Sequence, residues 1–263
     1  MAKVDRQRRK ELELLAQERA SELRRSWGLG IEPIADIFEL IERNFQNVIV
    51  LRYPTPNSDL SAFITVNRSD FLIYINTELT YGHQVFSAAH ELSHLLYDTK
   101  ALNLLVCRPG ENTVDEIELL ADLFAGNLLL PGEGVRHVYF SLFGPRHRVT
   151  YGTVMALQGT FKVSYAAMLF ALFKNGIIAA SVYGHLKKLG SKENVSQMQR
   201  VAKMYGVDDL ISPTRAKVIP KKLLLALNSN YKEERISFNK LSSVLALWDK
   251  KPEEMGFHYE DPV

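Results

Sequence analysis

One cysteine, Cys107, stands in a chain of 263 residues. It can neither close a disulfide within the chain nor build a thiolate cage for a metal, so the sequence suits a reducing compartment and Cys107 is expected as a small buried hydrophobe. Long apolar runs are missing too. The richest stretch, Ala166 to Val182, is broken by Lys174, Asn175 and Gly176, short of the ~20 apolar residues that a spanning helix requires. The first 26 residues are dense in charge (Arg8, Arg9, Lys10, Glu11, Glu13) with no apolar h-region, which argues against a secretory signal. A cytoplasmic protein without membrane association is therefore expected. The net charge of +2 offers no bulk attraction to nucleic acid. Acidic residues are absent between Gly134 and Lys192, where Arg136, Arg146, Arg148, Lys162, Lys174, Lys187, Lys188 and Lys192 are basic, although the stretch Glu91 to Glu133 is strongly acidic. That reversal suggests a module boundary near Gly144 and Pro145.

What is present is the material of a globular protein. With 46% hydrophobic and 24% charged residues the chain can bury a core, and its length allows one large domain or two small ones. Leu12, Leu15, Ala16, Ala20, Leu23 and Trp27 recur at spacings of three and four, predicting an amphipathic helix over about 5–26 that ends at Gly28 to Gly30. Pro33 suits the first turn of a second helix, with Ile34, Ile37, Phe38, Ile41 and Phe45 on one face. Three β-rich runs follow, Val48 to Tyr53, Leu60 to Val66 and Phe71 to Ile75, separated by Pro54, Pro56, Asn57, Asn67 and Asp70. Helical patterns then cover Thr80 to Tyr97 and Thr113 to Leu130, the latter stopped by Pro131. The expected class is α+β, a small antiparallel sheet packed on helices. Residues 1–143 form the first region with its N-terminal helix, residues 144–190 a helical subdomain, and residues 191–263 a mainly helical C-terminal region.

The chemistry concentrates in His90-Glu91-Leu92-Ser93-His94, an H-E-x-x-H sequence on a predicted helix. Residues i and i+4 stand one above the other there, so both imidazoles reach one divalent cation, while Glu91 leaves the helix at another angle, placed to act as a general base on water. A catalytic site of this type has three protein ligands and an open position. Among Asp115, Glu116 and Glu118 the best third ligand is Glu118. It shares a face with Ala121, Phe124 and Ala125, whereas Glu116 is turned by about 160° from it at 100° per residue. Asp122, one turn later, could orient an imidazole through its distal N–H. Asp115 and Glu116 read as helix N-terminal charge. His and carboxylate donors suit zinc, with manganese the alternative.

Phe86-Ser87-Ala88-Ala89-His90-Glu91-Leu92-Ser93-His94-Leu95-Leu96 and Glu118-Leu119-Leu120-Ala121-Asp122-Leu123-Phe124-Ala125-Gly126-Asn127-Leu128-Leu129-Leu130-Pro131 resemble the paired signatures of the ImmA/IrrE metallopeptidases. The resemblance implies His90, His94 and Glu118 as metal ligands and Glu91 as the catalytic base. Where that family often carries an arginine shortly before the first histidine, this chain reads Gly82-His83-Gln84. A weaker resemblance covers Gly159-Thr160-Phe161-Lys162-Val163-Ser164-Tyr165-Ala166-Ala167-Met168, which implies a helix-turn-helix-like unit, and Ala171 stands there in place of the usual arginine. Ile219-Pro220-Lys221-Lys222-Leu223 and Ile236-Ser237-Phe238 are similar to segments near the end of ImmA-type proteins.

The activity implied is metal-dependent endoproteolysis, limited and regulatory, with a helix-turn-helix transcriptional repressor or antitoxin as substrate. Tyr81, His83, Tyr97, His137 and Tyr139 are chemically eligible to steady an oxyanion, and the edge of the Leu60 to Ile75 sheet could receive substrate backbone. Two other readings compete. In one, the acid-free basic segment makes the chain a DNA-binding regulator with an idle metal site, although Ser164 to Phe173 lacks the side chains that read base edges. In the other, the chain sequesters a repressor without cutting it.

Overall fold

The computed structural model describes residues 5–99, 112–190 and 194–258. Cys107 and the side chain of Asp115 lie outside the described residues. Helix α1, Arg6–Ser26, starts where the Asp5 carboxylate accepts from the Gln7 and Arg8 N–H groups, a side chain standing in for the partner the first turn lacks. It ends on Gly28 and Gly30, both at positive φ. Its buried stripe of Leu12, Ala16, Ala20 and Leu23 faces α4, Asn112–Leu129.

Helix α2 runs Ile37–Asn44, four residues later than Pro33 implies. Asp36 caps it, accepting from the Phe38 and Glu39 N–H groups, and this satisfied N-cap outweighs the preference of proline for a first turn.

The sheet is mixed, which corrects the antiparallel expectation. Strands β1 (Val48–Tyr53), β2 (Ala62–Asn67) and β3 (Asp70–Asn76) lie in the order β1-β3-β2. β2 and β3 form an antiparallel hairpin with Asn67 opposite Asp70, closed by Arg68 at φ 59°. β1 pairs parallel with β3, Val50 opposite Ile73. The reason lies in residues 54–61. That connection, with Pro54 and Pro56, is too long for a tight hairpin and long enough to step over one strand position, about 10 Å across two interstrand spacings. The β2–β3 turn then folds β3 into the gap. β2 is left as an edge strand that pairs only with β3 among the described residues.

Helix α3, Tyr81–Tyr97, lies across this sheet and against α4. Further along come α5 (Gly132–Phe143), α6 (Tyr151–Phe161), α7 (Tyr165–Lys174) and α8 (Ala180–Lys187). α6 and α7 meet at 104° through Lys162 in the left-handed region and the capping hydroxyl of Ser164. Gly82 is the contact between α3 and this turn: a Cβ there would sit 2.6 Å from the Ser164 backbone nitrogen, a distance no side chain tolerates. One hydrophobic core runs from Ala16 to Leu210 and includes the buried faces of α6 and α7. Among the described residues no single helix is long and apolar enough to cross a membrane.

After α9, Val195–Met204, residues 213–218 cross the start of α3 and the end of β1. The Arg215 N–H donates to the Thr77 carbonyl, the Val218 N–H to that of Arg52, and Gln84 Nε2 to the Thr214 hydroxyl. Helices α10 (Lys221–Lys232) and α11 (Phe238–Leu245) close a second, smaller core of Leu227, Leu241, Leu245 and Phe257.

Candidate metal centre

Helices α3 and α4 pack antiparallel, so steps of four along one match steps of four back along the other. His94 meets Glu118 and His90 meets Asp122. His90 Nε2 lies 3.1 Å from Glu118 Oε2 and 3.1 Å from His94 Nε2, and His94 Nε2 lies 3.6 Å from Glu118 Oε1. Donor atoms of His90, His94 and Glu118 all fall within 4.8 Å of one another.

This geometry fits a cation. The distal nitrogens are held by carboxylates: His90 Nδ1–H donates to Asp122 at 2.9 Å and His94 Nδ1–H to Asp98 at 3.0 Å. That assignment leaves the Nε2 lone pair of His94 aimed at His90 and Glu118. Nitrogens bound at ~2.0–2.1 Å in a tetrahedral set stand about 3.3 Å apart, close to the spacing seen. Two imidazoles surrounded by Glu91, Asp98, Glu118 and Asp122 also form a strongly negative pocket.

The electrostatics follow from this crowding. Burial disfavours charge on His90, but hydrogen bonds to Asp122 and Glu118 and the field of Glu91 outweigh it and raise the imidazole to about 10. Glu118 is held below the ordinary carboxylate range, chiefly by its hydrogen bond with His90. Glu91 is raised by desolvation, opposed by His90 and His94. It is 7% exposed, a carboxylate at the floor of the cleft with a proton affinity above that of a surface glutamate.

The cleft, about 290 Å³, is lined by Ser61, Ala62, His83, Phe86, Ser87, His90, Glu91, Glu118 and Asp122. The α3–α4 pairing thus brings His90, Glu91, His94, Glu118 and Asp122 to one place. Glu116 points elsewhere and forms an ion pair with Arg8 of α1 at 2.8 Å. Of the five groups eligible to steady an oxyanion, only His83 lines the cleft, its imidazole lowered by burial. Tyr81 packs on Phe38, Tyr97 on Phe124, Tyr139 is buried with its hydroxyl on the His147 carbonyl, and His137 is exposed on α5. Asp98 escaped the sequence reading. Its signal is a negative charge at the C-cap of α3, where the helix dipole disfavours one, at i+4 from His94.

Two imidazoles and a carboxylate converging from two helices beside a buried glutamate define a metallohydrolase-type site. Residues 46–173 match the family model of the IrrE N-terminal-like domain, Peptidase_M78. That match covers the sheet, both site helices and most of α7, so residues 46–173 carry a metallopeptidase domain of the ImmA/IrrE type. A comparison with curated proteins finds no match.

Proposed function

We propose that this metallopeptidase is an endopeptidase that cuts a helix-turn-helix repressor or antitoxin at a limited number of bonds, with His90, His94 and Glu118 as ligands of one zinc ion and Glu91 as its base. The observation that carries the reading is the His90–His94–Glu118 group with Glu91 buried beside it. A divalent cation held there supplies Lewis-acid polarisation of a peptide carbonyl and acidifies water. Glu91 takes a proton from the attacking water and delivers it to the leaving amine, and desolvation, by raising its proton affinity, suits it to hold that proton between the two halves. Asp122 and Asp98 hold the two rings in the tautomer that turns Nε2 inward. His83 is the cleft group placed to donate to a developing oxyanion. Ser61 and Ala62 bring the start of edge strand β2 into the cleft, so an extended substrate can add its backbone there.

The substrate class rests on the motif resemblance, and the test is direct. The purified chain is incubated with a candidate helix-turn-helix repressor with and without chelator, beside Glu91→Gln. Fragments that disappear with chelator, and fall by about 10²–10⁴-fold in Glu91→Gln at unchanged metal content, are expected. A stable complex without fragments would favour sequestration instead. DNA reading by α7 draws little support, because its outward side chains are Ala166, Phe170, Phe173 and Lys174, poor in base-reading groups.

A further inference from the structure

A second cavity of about 250 Å³ adjoins the candidate metal cleft between α3, α4 and α7, with Phe86 and Asp122 lining both. Its walls are mostly apolar: Phe86 from α3, Leu123, Gly126 and Leu129 from α4, Leu130 just after it, and Ala167 and Phe170 from α7. Phe170 stands at the mouth, 52% exposed, and Asn127 and Lys174 form a polar lip, 3.4 Å apart. Pockets for drug-sized ligands measure about 300–1,000 Å³, so this one suits a single bulky side chain.

Gly126 is the telling residue. It lies inside α4, where only proline is less favourable than glycine, and neither its backbone nor close packing demands it. Its φ is not positive, and a Cβ added there would meet nothing within 4 Å. Gly82, by contrast, is dictated by the neighbouring backbone. What Gly126 does is leave the cavity floor open.

We infer that this cavity is a specificity pocket of the peptidase, which receives a bulky apolar side chain (Leu, Met or Phe) of the substrate within two residues of the scissile bond. The spacing supports that placement. Phe86 lies one turn before His90, and Gly126 lies two turns beyond Glu118, about 12 Å along the axis at 1.5 Å per residue, with Asp122 midway. Same-face side chains of an extended peptide repeat at about 6.7 Å, so a chain laid along β2 with its scissile carbonyl at the metal centre delivers a neighbouring side chain to the pocket mouth. The inference rests on the peptidase reading, and its test separates the two.

A fluorogenic peptide library randomised around the cut is digested by the zinc-loaded full chain and by Gly126→Ala and Gly126→Leu. The wild type is expected to select Leu, Met or Phe at one position within two residues of the cut. The ratio of kcat/KM for Leu-containing over Ala-containing peptides should fall modestly in Gly126→Ala and at least tenfold in Gly126→Leu. In parallel, N-acetyl-leucinamide and N-acetyl-serinamide are titrated into the metal-free chain while the methyl resonances of Leu123, Leu130 and Ala167 are followed. Shifts with the leucine probe alone, lost in Gly126→Leu, support the pocket even if the protein cuts nothing, in which case only the peptidase reading fails. Cleavage without apolar selection, a library profile unchanged by Gly126→Leu, or the absence of methyl shifts overturns it.

Discussion

If His90 is a ligand, as proposed, it is the residue at which metal and proton compete. Without metal its imidazole holds a proton to about pH 10, against 6.5 for an ordinary histidine. A group raised in this way adds stability that is complete below pH 6.5 and is lost as pH climbs to about 10. A cation binding at Nε2 must displace that proton. Zinc titrated into the metal-free protein at pH 7.5 should release about one proton, read by calorimetry in two buffers of different ionisation enthalpy; release of none would contradict the assignment of His90. The supporting carboxylates differ in shielding, since the Asp98 side chain is 16% exposed and that of Asp122 57%. Replacing each by Asn should therefore weaken zinc binding unequally, Asp98→Asn toward the upper end of about 10–100-fold and Asp122→Asn toward the lower, measured by competition with a chromogenic chelator.

At the scale of elements, the site depends on where α3 begins. Gly82 lets the first turn of α3 touch the backbone of the α6–α7 turn, and Gln84, fully buried, ties the same turn to the Leu79 carbonyl and Thr214. Gly82→Ala should lower stability by about 1–3 kcal/mol, as overpacking against an unyielding backbone does, visible as a lower Tm; an unchanged Tm would show that the two elements separate at no cost. The periodicities of α1, α3 and α4 were readable because each buries one stripe. The direction of β1 was not, because a strand's own alternation carries no information about which neighbour it pairs with or in which sense. The start of α2 was misplaced because two valid start signals compete within four residues, and only the capping hydrogen bonds of Asp36 decide between them.

Across the whole molecule, residues 213–218 and the C-terminal helices are tied to the sheet and to the start of α3. Lys222 donates to the Phe45 and Val48 carbonyls, its charge disfavoured by burial, and Trp248 packs edge-on against Tyr53 of β1. Lys222→Ala leaves both carbonyls without that donor, and an unmet polar group costs about 1–3 kcal/mol when buried. The variant should be cut sooner by trypsin between residues 213 and 221 while binding zinc as the wild type does. Equal digestion rates would mean that Lys222 does not hold the C-terminal helices to the sheet.

The amino-acid order by itself determined which side chains could serve a metal and on what helical faces they stand: His90 and His94 one turn apart, Glu91 between them, Glu118 and Asp122 one turn apart on a second amphipathic helix. These are local facts, set by 3.6 residues per turn within one element. Everything that depends on two elements meeting was decided by the tertiary structure. The antiparallel seating of α3 on α4 pairs His94 with Glu118 and His90 with Asp122, leaves His83 alone of five candidates in the cleft, and opens a cavity over Gly126. Such contacts join residues far apart in the chain, and no local periodicity encodes their distance.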